Sequence, residues 1–132
     1  IGEFSAPFIL YDPSGEIKPG MRAGIAQQID IMPTIFGILG YNKPYFSFGC
    51  DLLNTPPQQT YALNYINGVY QYTKNGYTMQ FDGNRVTGIY SLKDLLMQHN
   101  LLGKVPEQAQ MEQELKAIIY QYMYRMVNNE LR

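Results

Sequence analysis

His99 is the one histidine and Cys50 the one cysteine of this chain, which limits the acid–base, nucleophilic and metal chemistry open to it. A lone imidazole precludes a multi-histidine metal site and leaves no second ring for a proton relay. His99 stands in Met97-Gln98-His99-Asn100-Leu101, after the last expected strand, and reads as a loop histidine that only a partner chain could make catalytic. Cys50 lies between Gly49 and Asp51, with no base or helix N-terminus in the run to activate a thiolate, and reads as a small structural residue. Asp12, Asp30, Asp51, Asp82 and Asp94 are scattered among turn and cap contexts, where local backbone hydrogen bonding explains each. Calcium-binding loops need oxygen ligands at close alternating spacing, and Gly15 and Gly20 lack the Lys-Ser/Thr that follows a phosphate loop. No catalytic, cofactor-binding or metal-ligating residue is assigned.

Tyrosines offer a different chemistry. Tyr61, Tyr65, Tyr70, Tyr72 and Tyr77 fall on adjacent expected strands and could form a stacking platform for sugars or single-stranded nucleic acid. A nucleic-acid platform interleaves Lys and Arg, whereas only Lys74 and Arg85 are near. Cross-strand aromatic packing is the simpler explanation.

The elements that must position these side chains follow from patterning. Pro7-Phe8-Ile9-Leu10-Tyr11, with Ala6 before it, is an unbroken apolar run ended by Asp12-Pro13-Ser14-Gly15, which predicts a strand running into a type I turn. Apolar side chains on both faces suit the interior of a covered sheet, so this strand needs neighbours that no other segment supplies. Residues 16–24 read as loop. Asp30 then caps a short buried helix whose Ile31, Ile35, Ile38 and Leu39 form one stripe, with Pro33 in the first turn and Gly40 as the stop. Residues 41–57 form a Pro- and Gly-interrupted connection.

Asn67-Gly68, Asn75-Gly76 and Asp82-Gly83 supply the positive backbone angles of tight turns and divide Tyr61–Ile66, Val69–Lys74, Tyr77–Phe81 and Val86–Leu92 into a four-stranded antiparallel meander. From Pro106 onward, Met111, Leu115, Ile118, Ile119, Tyr122 and Met126 trace the apolar stripe of a long C-terminal helix, expected to cover the meander.

Composition bounds the remainder. The 132 residues fit one modest domain, the formal charge of -1 offers no field for a polyanion, and a charged fraction of 16% leaves surface suited to meeting protein. A single cysteine excludes an internal disulfide, and no apolar run approaches the roughly 20 residues of a membrane span.

Gln28-Ile29-Asp30-Ile31-Met32-Pro33-Thr34, followed by Leu39-Gly40-Tyr41, Phe48-Gly49-Cys50-Asp51-Leu52, Gly88-Ile89-Tyr90-Ser91-Leu92-Lys93-Asp94 and Asn100-Leu101, resembles the C-terminal portion of the sulfatases and lipoteichoic acid synthase-like phosphoglycerol transferases of the alkaline phosphatase superfamily. The resemblance implies an α+β chain: residues 1–57 as the remnant of the catalytic α/β domain, and 58–132 as the C-terminal sheet-plus-helix subdomain. Family members attack sulfate or phosphate esters with Thr, or with a formylglycine made from Cys or Ser, beside a divalent metal (Mn, Mg, Ca or Zn). Those residues are expected before Ile1. Cys50 lacks the x-Pro-x-Arg that follows the sulfatase nucleophile, and Thr34 is not at the nucleophile position.

The implied function is that of a non-catalytic fragment of a metal-dependent, extracytoplasmic, inner-membrane-anchored parent. Its expected partners are the parent's catalytic domain and, for the isolated fragment, further copies of itself. No nucleic acid and no direct membrane insertion are expected. The alternative is a stand-alone tyrosine-rich glycan-binding module. A weaker third reading is a small hydrolase centred on His99 and Cys50.

Overall fold

A computed structural model describes residues 7–131. Its organising element is a four-stranded antiparallel sheet in the order β1 (Ala62–Ile66), β2 (Val69–Lys74), β3 (Tyr77–Phe81) and β4 (Val86–Ser91). The first two turns are the tight hairpins that their sequences dictate. Asn67 and Gly68 take φ of 51° and 82°, and Asn75 and Gly76 take 50° and 83°, a left-handed pair that matches strand twist. The third turn is longer. Asp82 accepts the amide hydrogens of Asn84 and Arg85 through Oδ1, and a register shift at Gln80/Phe81 leaves Thr87 as the extra residue of a bulge.

Pairing places Tyr72 opposite Met79, Met79 opposite Ile89, and Tyr70 opposite Phe81, so one sheet face is continuous and apolar. Helix α2 (Gln108–Val127) covers it with Met111 and Leu115, both fully buried. Val105 completes a core whose flanks are Tyr61, Leu63, Tyr70, Tyr77, Val86, Leu101, Ile118 and Ile119. The stripe expected to be uniformly covered is therefore covered in its first half only. Tyr122 and Met126 stay exposed, because the sheet ends beneath Ile118 and Ile119. On the opposite sheet face Thr78 is also buried, its hydroxyl 2.9 Å from that of Thr73.

Both sheet edges are blunted by chain that is not strand. Along β4, Leu101 donates its amide hydrogen to Ile89 O (2.7 Å), and the Asn100 side chain accepts from Ile89 N–H and donates to Thr87 O. Along β1, Gln27 Oε1 accepts from Leu63 N–H, and buried Thr60 accepts from Ile25 N–H through its hydroxyl.

The first part of the chain departs from expectation. The Asp12–Gly15 turn forms, with Asp12 accepting from Ser14 and Ile17 amides. The run before it is no strand: Pro7–Tyr11 joins no ladder, and Ile9 and Tyr11 are 82% and 84% exposed, while Ala6 lies outside the described residues. A segment apolar on both faces has no sheet position in a meander that already ends at β1 and β4.

Helix α1 (Ile31–Ile38) forms where expected, after a 3-10 turn at Gln28–Asp30, and ends at Gly40 with φ of 63°. Its most buried residues are not those of the expected stripe. Pro33 and Thr34 are buried, whereas Ile31, Ile35 and Ile38 remain 43%, 37% and 42% exposed and Leu39 73%.

Candidate functional site

Two of the runs that carry the family resemblance, residues 28–34 and 48–52, meet at one joint between α1 and the connection that follows it. The 3-10 turn directs the Asp30 side chain inward, where it is 1% exposed. Asp30 is expected to cap α1, but its backbone is already helical (φ −78°, ψ −15°), and its side chain reaches elsewhere. Oδ2 accepts the Gln27 amide hydrogen and Oδ1 that of Cys50, each at 2.8 Å. One turn on, fully buried Thr34 donates its hydroxyl hydrogen to Asp30 O (2.6 Å) and accepts from Leu52 N–H (3.0 Å). Two side chains of the Gln28–Thr34 run thus satisfy amide hydrogens of the Phe48–Leu52 run that would otherwise be orphaned.

Two glycines let these runs close. A Cβ on Gly49 would overlap the Ile29 carbonyl oxygen, which is backbone and cannot swing away. A Cβ on Gly37 would overlap the Asp51 carboxylate, which is occupied by Leu53 N–H and the Asn54 side chain. Tyr61 joins the lock to β1 by donating its hydroxyl hydrogen to Phe48 O (2.6 Å). Burial, followed by the negative charge of Asp30, pushes the Tyr61 phenol up to about 12. Burial and Asp30 likewise push the Cys50 thiol up, opposite to what nucleophilic activation needs.

Outside this joint, Phe36 stacks on Tyr41 at 4.5 Å and meets Tyr45 edge-on at 4.9 Å. The Arg125 guanidinium lies 3.6 Å over the Phe46 ring, and Phe48 approaches Tyr122, so the second half of α2 braces the same connection. An open groove of about 890 Å³ is lined by residues 8–12, by residues 17–24 with Ala26, and by Leu52, Leu53, Thr55, Pro57 and Thr60, and Arg22 donates to Leu53 O.

The other candidates disperse. His99 is exposed on the loop after β4, where Asp94 accepts its backbone N–H at 2.7 Å and lies 3.3 Å from its Nδ1. Its partners are distinct from those of Cys50. Tyr61, Tyr70, Tyr72 and Tyr77 lie on the face covered by α2 and pack against the core, leaving Tyr65, stacked on Tyr70 at 4.5 Å, as the exposed ring of the five at 63%. The face offered for stacking is thus largely the one the helix occupies. Among the described residues no three His, Cys, Asp or Glu side chains come together as a metal-ion cluster, so the divalent metal that the resemblance implies for the parent has no fitting ligand set here.

A polar cluster unmarked by any motif also emerges under α2. Glu114 accepts from the Tyr72 hydroxyl (2.9 Å), Lys74 Nζ (2.7 Å) and Gln110. Partial burial raises Glu114, but the hydrogen bonds from Lys74, Gln110 and Tyr72 and the Lys74 charge outweigh it and hold the carboxyl below its ordinary value. Burial first, then the bond to Glu114, pushes the Tyr72 phenol far up. The available signal was weak: Lys74 ends a strand whose inward positions are otherwise apolar.

No protein-family model matches the chain, and comparison with curated proteins and with solved structures likewise gives no match.

Proposed function

We propose that this chain is the non-catalytic C-terminal portion of a metal-dependent enzyme of the sulfatase or phosphoglycerol transferase type, bracing a larger α/β body that acts on sulfate or phosphate esters. One observation carries the reading: residues 28–34 and 48–52 of the resemblance are held together through the buried Asp30 and Thr34 side chains, while Ile31, Ile35, Ile38 and Leu39, and separately residues 7–11, expose apolar side chains suited to a covering domain. A joint in which both carboxylate oxygens of Asp30 and the Thr34 hydroxyl are committed to backbone groups has a positioning role. In this reading the parent is extracytoplasmic and membrane-anchored, and its metal and nucleophile come from the preceding polypeptide. The divalent ion, when bound there, supplies charge to polarise the transferred group.

Turnover of aryl sulfate and phosphoglycerol substrates tests this. The product of the extended reading frame, supplied with divalent metal, is expected to act on one of them, and the 132-residue chain alone on neither. Turnover by the short chain that survives purification to homogeneity overturns the reading.

A further inference from the structure

Asn67-Gly68 and Asn75-Gly76 are the same dipeptide in the same kind of turn, and all four residues are exposed. Asn-Gly is also a dipeptide prone to cyclise on itself, because glycine leaves the following amide nitrogen unhindered. The folded turn opposes that reaction. With both residues left-handed, the Asn backbone turns the glycine nitrogen away from the Asn side-chain carbonyl carbon, so cyclisation waits on local opening. The two turns differ in what holds them shut. The second joins β2 and β3, both interior to the sheet. Gly76 O accepts from Leu92 N–H (2.8 Å), Lys74 beside the turn is tied to Glu114 (2.7 Å), and the Thr73 and Thr78 hydroxyls meet at 2.9 Å one pair further in. The first joins β2 to the edge strand β1, and among the described residues no hydrogen bond from another element reaches Asn67 or Gly68. Beyond the strand ladder, the stack of half-open Tyr65 on Tyr70 is what braces it. In the third turn, the Asp82 carboxylate is a poor electrophile and is engaged by the Asn84 and Arg85 amides.

We propose that Asn67 is a site of spontaneous covalent modification, converting through a succinimide to isoaspartate and aspartate, while the sheet shields the chemically identical Asn75. The Gly68 nitrogen gives up its proton to water or hydroxide and bonds to Asn67 Cγ, and the side-chain nitrogen leaves as ammonia. Water then opens the ring. Attack at the side-chain carbonyl leaves aspartate; attack at the backbone carbonyl breaks its bond to the Gly68 nitrogen and leaves isoaspartate, with the chain running through Cβ. Either product adds a negative charge to a chain of formal charge -1. Isoaspartate also adds a methylene to the main chain in a loop whose register depends on its having two residues. The change therefore loosens β1 and leaves β2, β3 and β4 paired beneath α2. The inference does not rest on the enzyme reading, because both turns belong to the sheet-plus-helix half.

Incubation of the 132-residue chain in mildly alkaline buffer, followed by digestion and mass spectrometry that separates isoaspartyl from aspartyl and asparaginyl peptides, tests it. In the folded chain residue 67 is expected to convert about fivefold or more faster than residue 75, the ratio of their local opening. In urea, where neither turn is held, the two rates are expected to converge. Tyr65→Ala removes the stack at an exposed position, with circular dichroism checking the fold, and is expected to quicken conversion at 67 alone. The proposal is overturned if 75 keeps pace with 67 in the folded chain, if the preference for 67 persists unchanged in urea, if neither site converts while the unfolded chain does, or if Tyr65→Ala leaves the rate at 67 unchanged or quickens both sites alike.

Discussion

Removing the Asp30 carboxylate is the sharpest test of the joint. Asp30→Ala deletes acceptors for two amide hydrogens, those of Gln27 and Cys50, both at 2.8 Å from oxygens of a side chain that is 1% exposed. Hydrogen bonds to a charged group are worth about 1.5–3 kcal/mol each, and an amide left buried without a partner costs about 1–3 kcal/mol. These figures describe overlapping losses and are not summed; water entering the space recovers part, so the expected loss is about 3–5 kcal/mol. Asp30→Asn retains one acceptor but turns an NH2 toward the other amide, and is expected to lose about half as much. Urea unfolding followed by tyrosine fluorescence reads the global change, the chain having 12 Tyr and no Trp. As Cys50 is the only cysteine and hangs from the same carboxylate, its rate of reaction with a thiol reagent reads the joint locally. A midpoint unchanged to within about 0.5 kcal/mol, together with an unchanged thiol rate, refutes the reasoning.

Three further outcomes follow from the same contacts. Gly49→Ala forces the backbone away from the Ile29 carbonyl, and a loss of about 2 kcal/mol or more is expected in the same titration. Leu115→Ala empties a site that is 0% exposed under the sheet and is expected to cost about 2–5 kcal/mol, more than Met126→Ala near the exposed end of α2. Glu114 has a folded pKa below its ordinary value, so its contribution is present above the unfolded carboxyl range and is lost as pH falls through the lower folded value. Glu114→Gln should therefore destabilise at pH 7 and narrow its deficit on acidification below about 4.3, as thermal melts across pH 2–7 would show.

The meander was legible because its turns are chemically explicit. Asn67-Gly68 and Asn75-Gly76 admit few conformations, and β1, β2 and β3 each begin or end directly beside one of them. Helix α2 was legible from Met111 and Leu115, but periodicity could not say where the sheet beneath it stops, so Tyr122 and Met126 read as core and are exposed. Periodicity also cannot choose which stripe of a short apolar helix turns inward. In α1 the outcome was set by Thr34 and Asp30, whose polar side chains found part-buried amides at Cys50 and Leu52, against four aliphatic side chains that were covered only in part. The joint itself was visible only as a resemblance. That Gly49 and Gly37 exist to let Ile29 and Asp51 approach requires the path of the chain, and the Glu114 cluster requires knowing that Lys74 and α2 share a sheet face.

The polypeptide encoded upstream bears most directly on whether this chain braces a catalytic body. Sequencing the reading frame before the codon for Ile1 is expected to show an Asp-His pair a short way before it and, much earlier, a Thr or a Cys/Ser followed by x-Pro-x-Arg. An open frame of comparable length with neither the pair nor a nucleophile of that kind would contradict the account.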